Sequence, residues 1–233
     1  MKTLGLLGGM SWQSTSQYYQ LLNQGVAARL GGLHSAAIIM VSVDFAPIEK
    51  LMRAGEWPAC SELLVAAAIK VAEAGADVLL LCTNTLHKLA PEIEAAVAIP
   101  FLHIADATGE KITAAGFKRV GLLGTRFTME EQFYRKRLEQ RFGLSVTIPD
   151  QAERQLVDRV IFTELCRGEV CAASRAEYLR IIAALADQGA EAVIAGCTEI
   201  TMLVRPEESP LPLFDTTRLH AEHAVNFALA AEI

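Results

Sequence analysis

Two short stretches of this chain carry side chains that could do chemistry. Cys197 ends the apolar run EAVIAGC and is followed by Thr198, Glu199, Ile200 and Thr201. A free thiol titrates near pKa ~8.5 and drops where the N–H groups of a helix start favour the thiolate. The residues after Cys197 read as such a start, so a thiol able to take and return a proton is expected there. The second stretch is LLLCTNTLHK, residues 79 to 88, where Cys82 and Thr83 stand side by side as an apolar run empties into a polar loop. Thr83 has no comparable route to an alkoxide at neutral pH. It can donate its hydroxyl proton or hold a water.

Both stretches sit at the ends of apolar runs that recur along the chain. TLGLLG, AAIIMVSV, ADVLLLC, RVGLLG and EAVIAGC are apolar nearly throughout rather than alternating, as strands of a covered parallel sheet are. Between them run helical segments. The first starts near Ser11 and stops at Gly31 and Gly32; another spans about 60–74 and ends at Gly75. A third is expected after Thr128 as N-cap, stopped by Gly143, and others over 151–167, 173–188 and 216–231. Alternation of this kind predicts an α/β architecture with helices on both sheet faces.

The chain also repeats itself. Gly75-Ala76 of GADVLLLCTNT recurs as Gly189-Ala190 of GAEAVIAGCTE, and at that shift Asp77 meets Glu191 and Thr83 meets Cys197. Gly5 and Gly8 of TLGLLGG recur at nearly the same shift as Gly121 and Gly124 of RVGLLGT. Two similar α/β halves follow: 1–99 with 211–233, and 100–210. Ligands of open α/β sheets lie beyond the carboxyl ends of the strands, which would set Thr83 and Cys197 on opposite sides of one cleft. By this register Thr83, not Cys82, is the counterpart of Cys197, because one step along a strand turns a side chain to the other face. A register by residue type would instead pair Cys82-Thr83 with Cys197-Thr198.

Composition narrows the function classes. With 52% apolar and 21% charged residues over 233, the chain can bury a large core. Its net charge of −6 and lack of basic clusters argue against nucleic acid and anionic membranes as partners. No apolar run reaches membrane length, and the N-terminal run is broken by glycines and then Trp12 and Gln13. The five cysteines (60, 82, 166, 171 and 197) lack paired metal spacing and are read as reduced thiols of a cytoplasmic protein. Cys60, Cys82, Cys166 and Cys171 are expected to be structural. His220 and His223 near Asp215 and Glu222 raise a metal site, set aside for want of further ligands. GLLGG lacks the spacing of a dinucleotide loop.

GLLGGMSWQST, CTNTLHK, FLHIADATG, LLGTRFTM and AGCTEI together resemble the aspartate/glutamate racemase family. The match is nearest its bacterial L-aspartate/glutamate-specific, broad-specificity amino-acid racemase branch. The resemblance implies two Rossmann-like halves related by pseudo-twofold symmetry, an active site in the cleft between them, no cofactor and a homodimer. It also implies two residues flanking the substrate, one removing the α-proton and the other returning a proton to the opposite face. Cys197 in GCTE matches one of these directly. The usual partner cysteine precedes Asn-Thr, and here that place holds Thr83 before Asn84 and Thr85. The implied pair is therefore asymmetric, with unequal activity in the two directions and the L-enantiomer the better substrate.

An amino-acid Cα–H is a weak acid and needs a close base of matched pKa. Asn84, Thr85 and Thr198 are candidates to bind the α-carboxylate and the charge that grows on it. Backbone around Gly8, Gly9 and Met10 is a further anion-binding candidate, with Thr125 its counterpart in the second half. Arg53 is a candidate partner for a side-chain carboxylate, favouring aspartate or glutamate. Glu199 could orient Cys197 or cap its helix, and His103 and Asp106 could be structural or line the cleft. His87 is expected to cap or pack on the helix after the TNT loop. Two rivals stand beside this reading. One is another reaction on the same scaffold, namely hydantoin racemisation, maleate isomerisation or malonate decarboxylation. The other is a small-molecule binder without turnover.

Overall fold

The computed structural model describes residues 1–230 and divides the chain into two compact units. The first holds Met1–His103 and takes the chain back at His220; the second holds Ile104–Leu219. Residue 231, expected to close the last helix, lies outside the described residues.

In the first unit, strands β1 (Leu4–Gly8), β2 (Ile38–Ser42), β3 (Val78–Leu81) and β4 (Phe101–Leu102) form one parallel sheet in the order β2-β1-β3-β4. Helices α1 (Trp12–Leu30), α2 (Phe45–Ala54), α3 (Trp57–Glu73) and α4 (Ala90–Ala96) connect them. In the second, β5 (Arg119–Gly124), β6 (Ser145–Thr147), β7 (Ala192–Gly196) and β8 (Leu213–Asp215) repeat the order as β6-β5-β7-β8. Its helices are α5 (Ile104–Ala114), α6 (Arg126–Glu130), α7 (Gln132–Phe142), α8 (Gln151–Thr163), α9 (Ala172–Asp187) and α10 (Ile200–Leu203). Helix α11 (Thr216–Leu229) starts in the second unit and ends in the first. The α/β architecture expected from the alternation is present in both. Among the described residues no helix is long and apolar enough to cross a membrane.

The central strands β1, β3 and β7 are buried along their whole length, which is why they read as unbroken apolar runs. Leu4, Leu6, Leu80 and Cys82 join Tyr18 and Leu22 of α1 and Val225 and Leu229 of α11 in the core on one sheet face. On the other face α3 comes so near β1 that a Cβ on Gly5 would lie 2.4 Å from Val71. Its repeat counterpart Gly121 is likewise crowded by Leu185 of α9 at 2.8 Å.

The repeat extends to how the strands begin. Asp77 accepts from the Thr3 N–H at 2.6 Å, and Glu191 accepts from the N–H groups of Lys118 and Arg119 at 2.9 Å each. Those bonds, with Arg119 beside it, hold the Glu191 carboxyl below its usual range. Each carboxylate ties the entry of one central strand to the entry of its neighbour.

Helix boundaries depart from the sequence reading at one site position. Thr128 is not an N-cap: Thr125 is extended, accepts from the Thr128 N–H at 3.3 Å and starts α6 three residues earlier. The helix expected there is also split, because Glu131 is extended between α6 and α7. Gly31 and Gly143 do end α1 and α7, each at positive φ. Elements absent from the sequence reading are α2, α5 and the short strands β4, β6 and β8.

Asp106 belongs to the scaffold. From the first turn of α5 it accepts a two-point contact from Arg137 of α7 at 2.6 and 2.7 Å, and a third from Arg141 at 2.5 Å. Both Asp106 and Arg137 are mostly shielded from water, so the pair exceeds a surface bridge. Asp106→Asn is expected to cost about 1–2 kcal/mol, read as a lower urea midpoint at unchanged m-value.

Candidate active site

The sequence-derived site residues gather at the carboxyl ends of the two central strands of each sheet, with one exception. In the first unit β1 and β3 run side by side, Leu7 opposite Leu81. Their ends are Gly8-Gly9-Met10 and Cys82-Thr83-Asn84-Thr85. In the second, Gly124 stands opposite Gly196, so Thr125 and Cys197 are the next residue on each strand. The exception is Arg53, which lies in the last turn of α2, mostly exposed and paired with Glu49 one turn earlier.

At the end of β1 the chain turns sharply. Gly9 has φ +98, and a Cβ there would lie 2.2 Å from the Val43 carbonyl, so only glycine fits. Its N–H donates to the Thr15 hydroxyl at 2.8 Å, which in turn donates to the Ser11 carbonyl at 3.0 Å. Ser11 caps α1, accepting from the Ser14 N–H at 3.2 Å. The loop is thus held by its own helix, and Met10 is buried within it.

Cys82 and Thr83 part company at the end of β3. The Cys82 N–H donates to Leu7 at 2.9 Å, its carbonyl accepts from Ser14 at 3.4 Å, and its side chain lies in the core under α1 and α11. Burial pushes that thiol far above its ordinary value. Thr83 is partly exposed, while Asn84 and Thr85 are buried at the start of a single 3-10 turn, Thr85–Leu89.

In the second unit Cys197 is partly exposed and donates its thiol proton to Glu199 Oε2 at 2.9 Å. The thiol is pushed well above its ordinary value, first by burial of the sulfur among its neighbours, then by the Glu199 charge and by Cys166. This reverses the expectation of a lowered thiol. The helix after it, α10, has four residues, and the nearest charge is negative. A single turn offers little dipole to offset a carboxylate in contact. Thr198 is buried and shares a 2.7 Å hydroxyl contact with Thr217. Thr216 donates to the Ala195 carbonyl at 2.9 Å, pinning the start of α11 to β7. Thr125 is buried and spent on capping α6.

Sequence reasoning missed Cys166 as a neighbour of this thiol. It follows α8 in a short turn that packs on α10, and burial with Glu199 pushes it up to about 12. Nothing in the spacing of residues 166 and 197 announces that proximity. His220 is occupied structurally. Its Nε2 donates to the Leu102 carbonyl and its Nδ1 meets the Tyr18 hydroxyl, both at 2.8 Å.

A proton shared with a carboxylate governs how Cys197 reacts. Because the Glu199 charge raises the thiol, removing it lowers the thiol and exposes more thiolate near neutral pH. Glu199→Gln is therefore expected to speed iodoacetamide alkylation of Cys197 severalfold at pH 7–8 and to shift its pH midpoint downward. Mass spectrometry of the Cys197 peptide across pH reads both effects.

Residues 7–224 match the model of the Asp/Glu/Hydantoin racemase family. The chain is 24% identical over 235 residues to the broad specificity amino-acid racemase RacX of Bacillus subtilis (strain 168), covering 97% of this chain and 98% of that protein. It is 52% identical to a candidate Asp/Glu racemase from Yersinia pestis of known crystal structure, with a TM-score of 0.92 over 98% of this chain and all of that one. An aspartate racemase homologue from Pyrococcus horikoshii OT3 is 29% identical, with a TM-score of 0.85 over 98% and 99% of the two chains. The family match reaches both sheets and covers the carboxyl end of each central strand, and this chain belongs to the Asp/Glu/Hydantoin racemase family.

Proposed function

We propose that the protein interconverts L- and D-amino acids, aspartate or glutamate foremost, without a cofactor. Cys197 acts on one side of the substrate Cα and Thr83 on the other. The observation that carries this reading is the Cys197–Glu199 contact at the end of β7, where a partly exposed thiol has a proton acceptor at 2.9 Å. Passing the thiol proton to Glu199 leaves a thiolate, which removes the Cα proton and becomes a thiol again. The electron pair spreads onto the α-carboxylate, where Asn84, Thr85 and Thr198 are the proposed partners. A proton from the Thr83 side, from its hydroxyl or a water held by it, completes the inversion at Cα; Glu199 then releases its proton to solvent, and solvent replaces the one given on the Thr83 side. The reverse reaction retraces these steps, with Cys197 as the acid.

Several assignments belong to the same reading. Met10, in its glycine-braced loop, and Thr125 line the substrate's surroundings. Arg53, paired with Glu49 in this structure, is the proposed partner of an acidic side chain. Glu199 is best placed as the proton partner of Cys197 rather than as a direct substrate ligand. The RacX relative, named for broad amino-acid specificity, favours amino acids over the hydantoin that the family name also covers. A cytoplasmic homodimer completes the proposal.

Proton NMR in D2O tests it with both enantiomers of aspartate, glutamate and several neutral amino acids. Loss of the α-proton signal from L-aspartate or L-glutamate is expected, slowed at least ~100-fold in Cys197→Ala. Thr83→Cys is expected to raise exchange of the D-enantiomer relative to the L-form. Exchange untouched by Cys197→Ala would remove the thiol from the reaction, and no exchange with any amino acid would sink the racemase reading.

A further inference from the structure

The backbone of Thr83 is already committed. Its N–H donates to the Leu81 carbonyl at 2.9 Å, and its carbonyl lies 2.6 Å from His87 Nδ1. A carbonyl oxygen can only accept, so that contact sets the His87 proton on Nδ1. What remains of Thr83 for a ligand is its hydroxyl.

His87 does not hold this position alone. It is 1% exposed, and its ring lies edge-on to His103 with centroids 4.5 Å apart and to His220 at 5.9 Å. His220 is fixed in turn: the Leu102 carbonyl requires a proton on Nε2, and Nδ1 meets the Tyr18 hydroxyl. Three buried imidazoles, drawn from the turn after β3, the end of β4 and α11, thus pack beneath one loop. Such rings have few rotamers, and an unmet loop carbonyl at that depth is costly, so the loop cannot readily take another shape.

We infer that His87 is a positioning residue for Thr83: its Nδ1–H holds the Thr83 carbonyl and so presents the hydroxyl, with His103 and His220 locking the ring that does it. The inference rests on the proposed racemase reading, in which Thr83 serves one side of the substrate. A displacement of about 1 Å at such a position costs up to ~100-fold in rate.

The test is α-proton exchange of both enantiomers by wild type, His87→Leu and His87→Asn, each also in a Thr83→Ala background. His87→Leu is expected to slow exchange on the Thr83-served side roughly 10- to 100-fold and so to change the L/D ratio. His87→Asn, whose Nδ2 takes the place of Nδ1, should recover most of the loss. In the Thr83→Ala background His87→Leu should add nothing further. An unchanged L/D ratio, or a full additional loss on top of Thr83→Ala, would overturn the inference. Long-range 15N NMR of the wild-type histidines decides independently, should His87→Leu not fold: His87 must carry its proton on Nδ1 and His220 on Nε2. An Nε2–H tautomer at His87 defeats the proposal. If wild type exchanges no amino acid, the racemase reading falls, and the tautomer alone reports whether His87 holds Thr83.

Discussion

A parallel sheet covered by helices on both faces leaves nowhere along its central strands for a polar group. Every residue of β1, β3 and β7 is buried, and the close approach of α3 and α9 reaches the point where Gly5 can have no side chain and a Cβ on Gly121 would displace Leu185. Polar chemistry is thereby driven to the strand ends, where the chain leaves the sheet. At the carboxyl ends the loops are short and start helices or turns at once, so their side chains are held by the scaffold rather than by solvent. Gly9, Thr15, Ser11 and Ser14 form such a brace in the first unit, and Thr125 with Thr128 forms one in the second. The candidate site follows from the covering of the sheets.

Within that constraint the two units have diverged by residue type while keeping the same frame. Asp77 and Glu191 tie strand entries in the same way, and Gly75 and Gly189 turn into β3 and β7 at almost equal positive φ. At the strand ends the frame is kept and the chemistry is not. The position of Cys197 in one unit is that of Thr83 in the other. Cys197 is coupled to a carboxylate at hydrogen-bond distance, whereas Thr83 is built into a loop whose carbonyl is held by a buried imidazole. One end sets a thiol against a carboxylate, and the other holds a backbone carbonyl with an imidazole.

The thiol shows why local rules can mislead. A cysteine before a helix start is ordinarily favoured as thiolate, but α10 is one turn long and Glu199 lies against the sulfur. Burial of the sulfur and contact with a full negative charge together outweigh the partial charge of so short a helix. The thiol has a carboxylate acceptor beside it at hydrogen-bond distance.

The sequence by itself determined the α/β class, the five main strands, the ends of α1 and α7, and a duplicated pattern of glycines with its acidic partners. These depend on unbroken apolar runs and on glycines at positive φ, which are local properties. It also pointed to Cys197 and Thr83, because each ends such a run. Tertiary structure decided the rest. Strands β4, β6 and β8 have two or three residues each and exist only by pairing with a longer neighbour. Cys82 lost its ambiguity when α1 and α11 closed over it, and Asp106 became scaffold through arginines 31 and 35 residues away. The array of His87, His103 and His220 spans more than half the chain and leaves no periodic trace in it. Such contacts are set by which faces pack together, and that is settled by the burial of the whole core rather than by any short stretch.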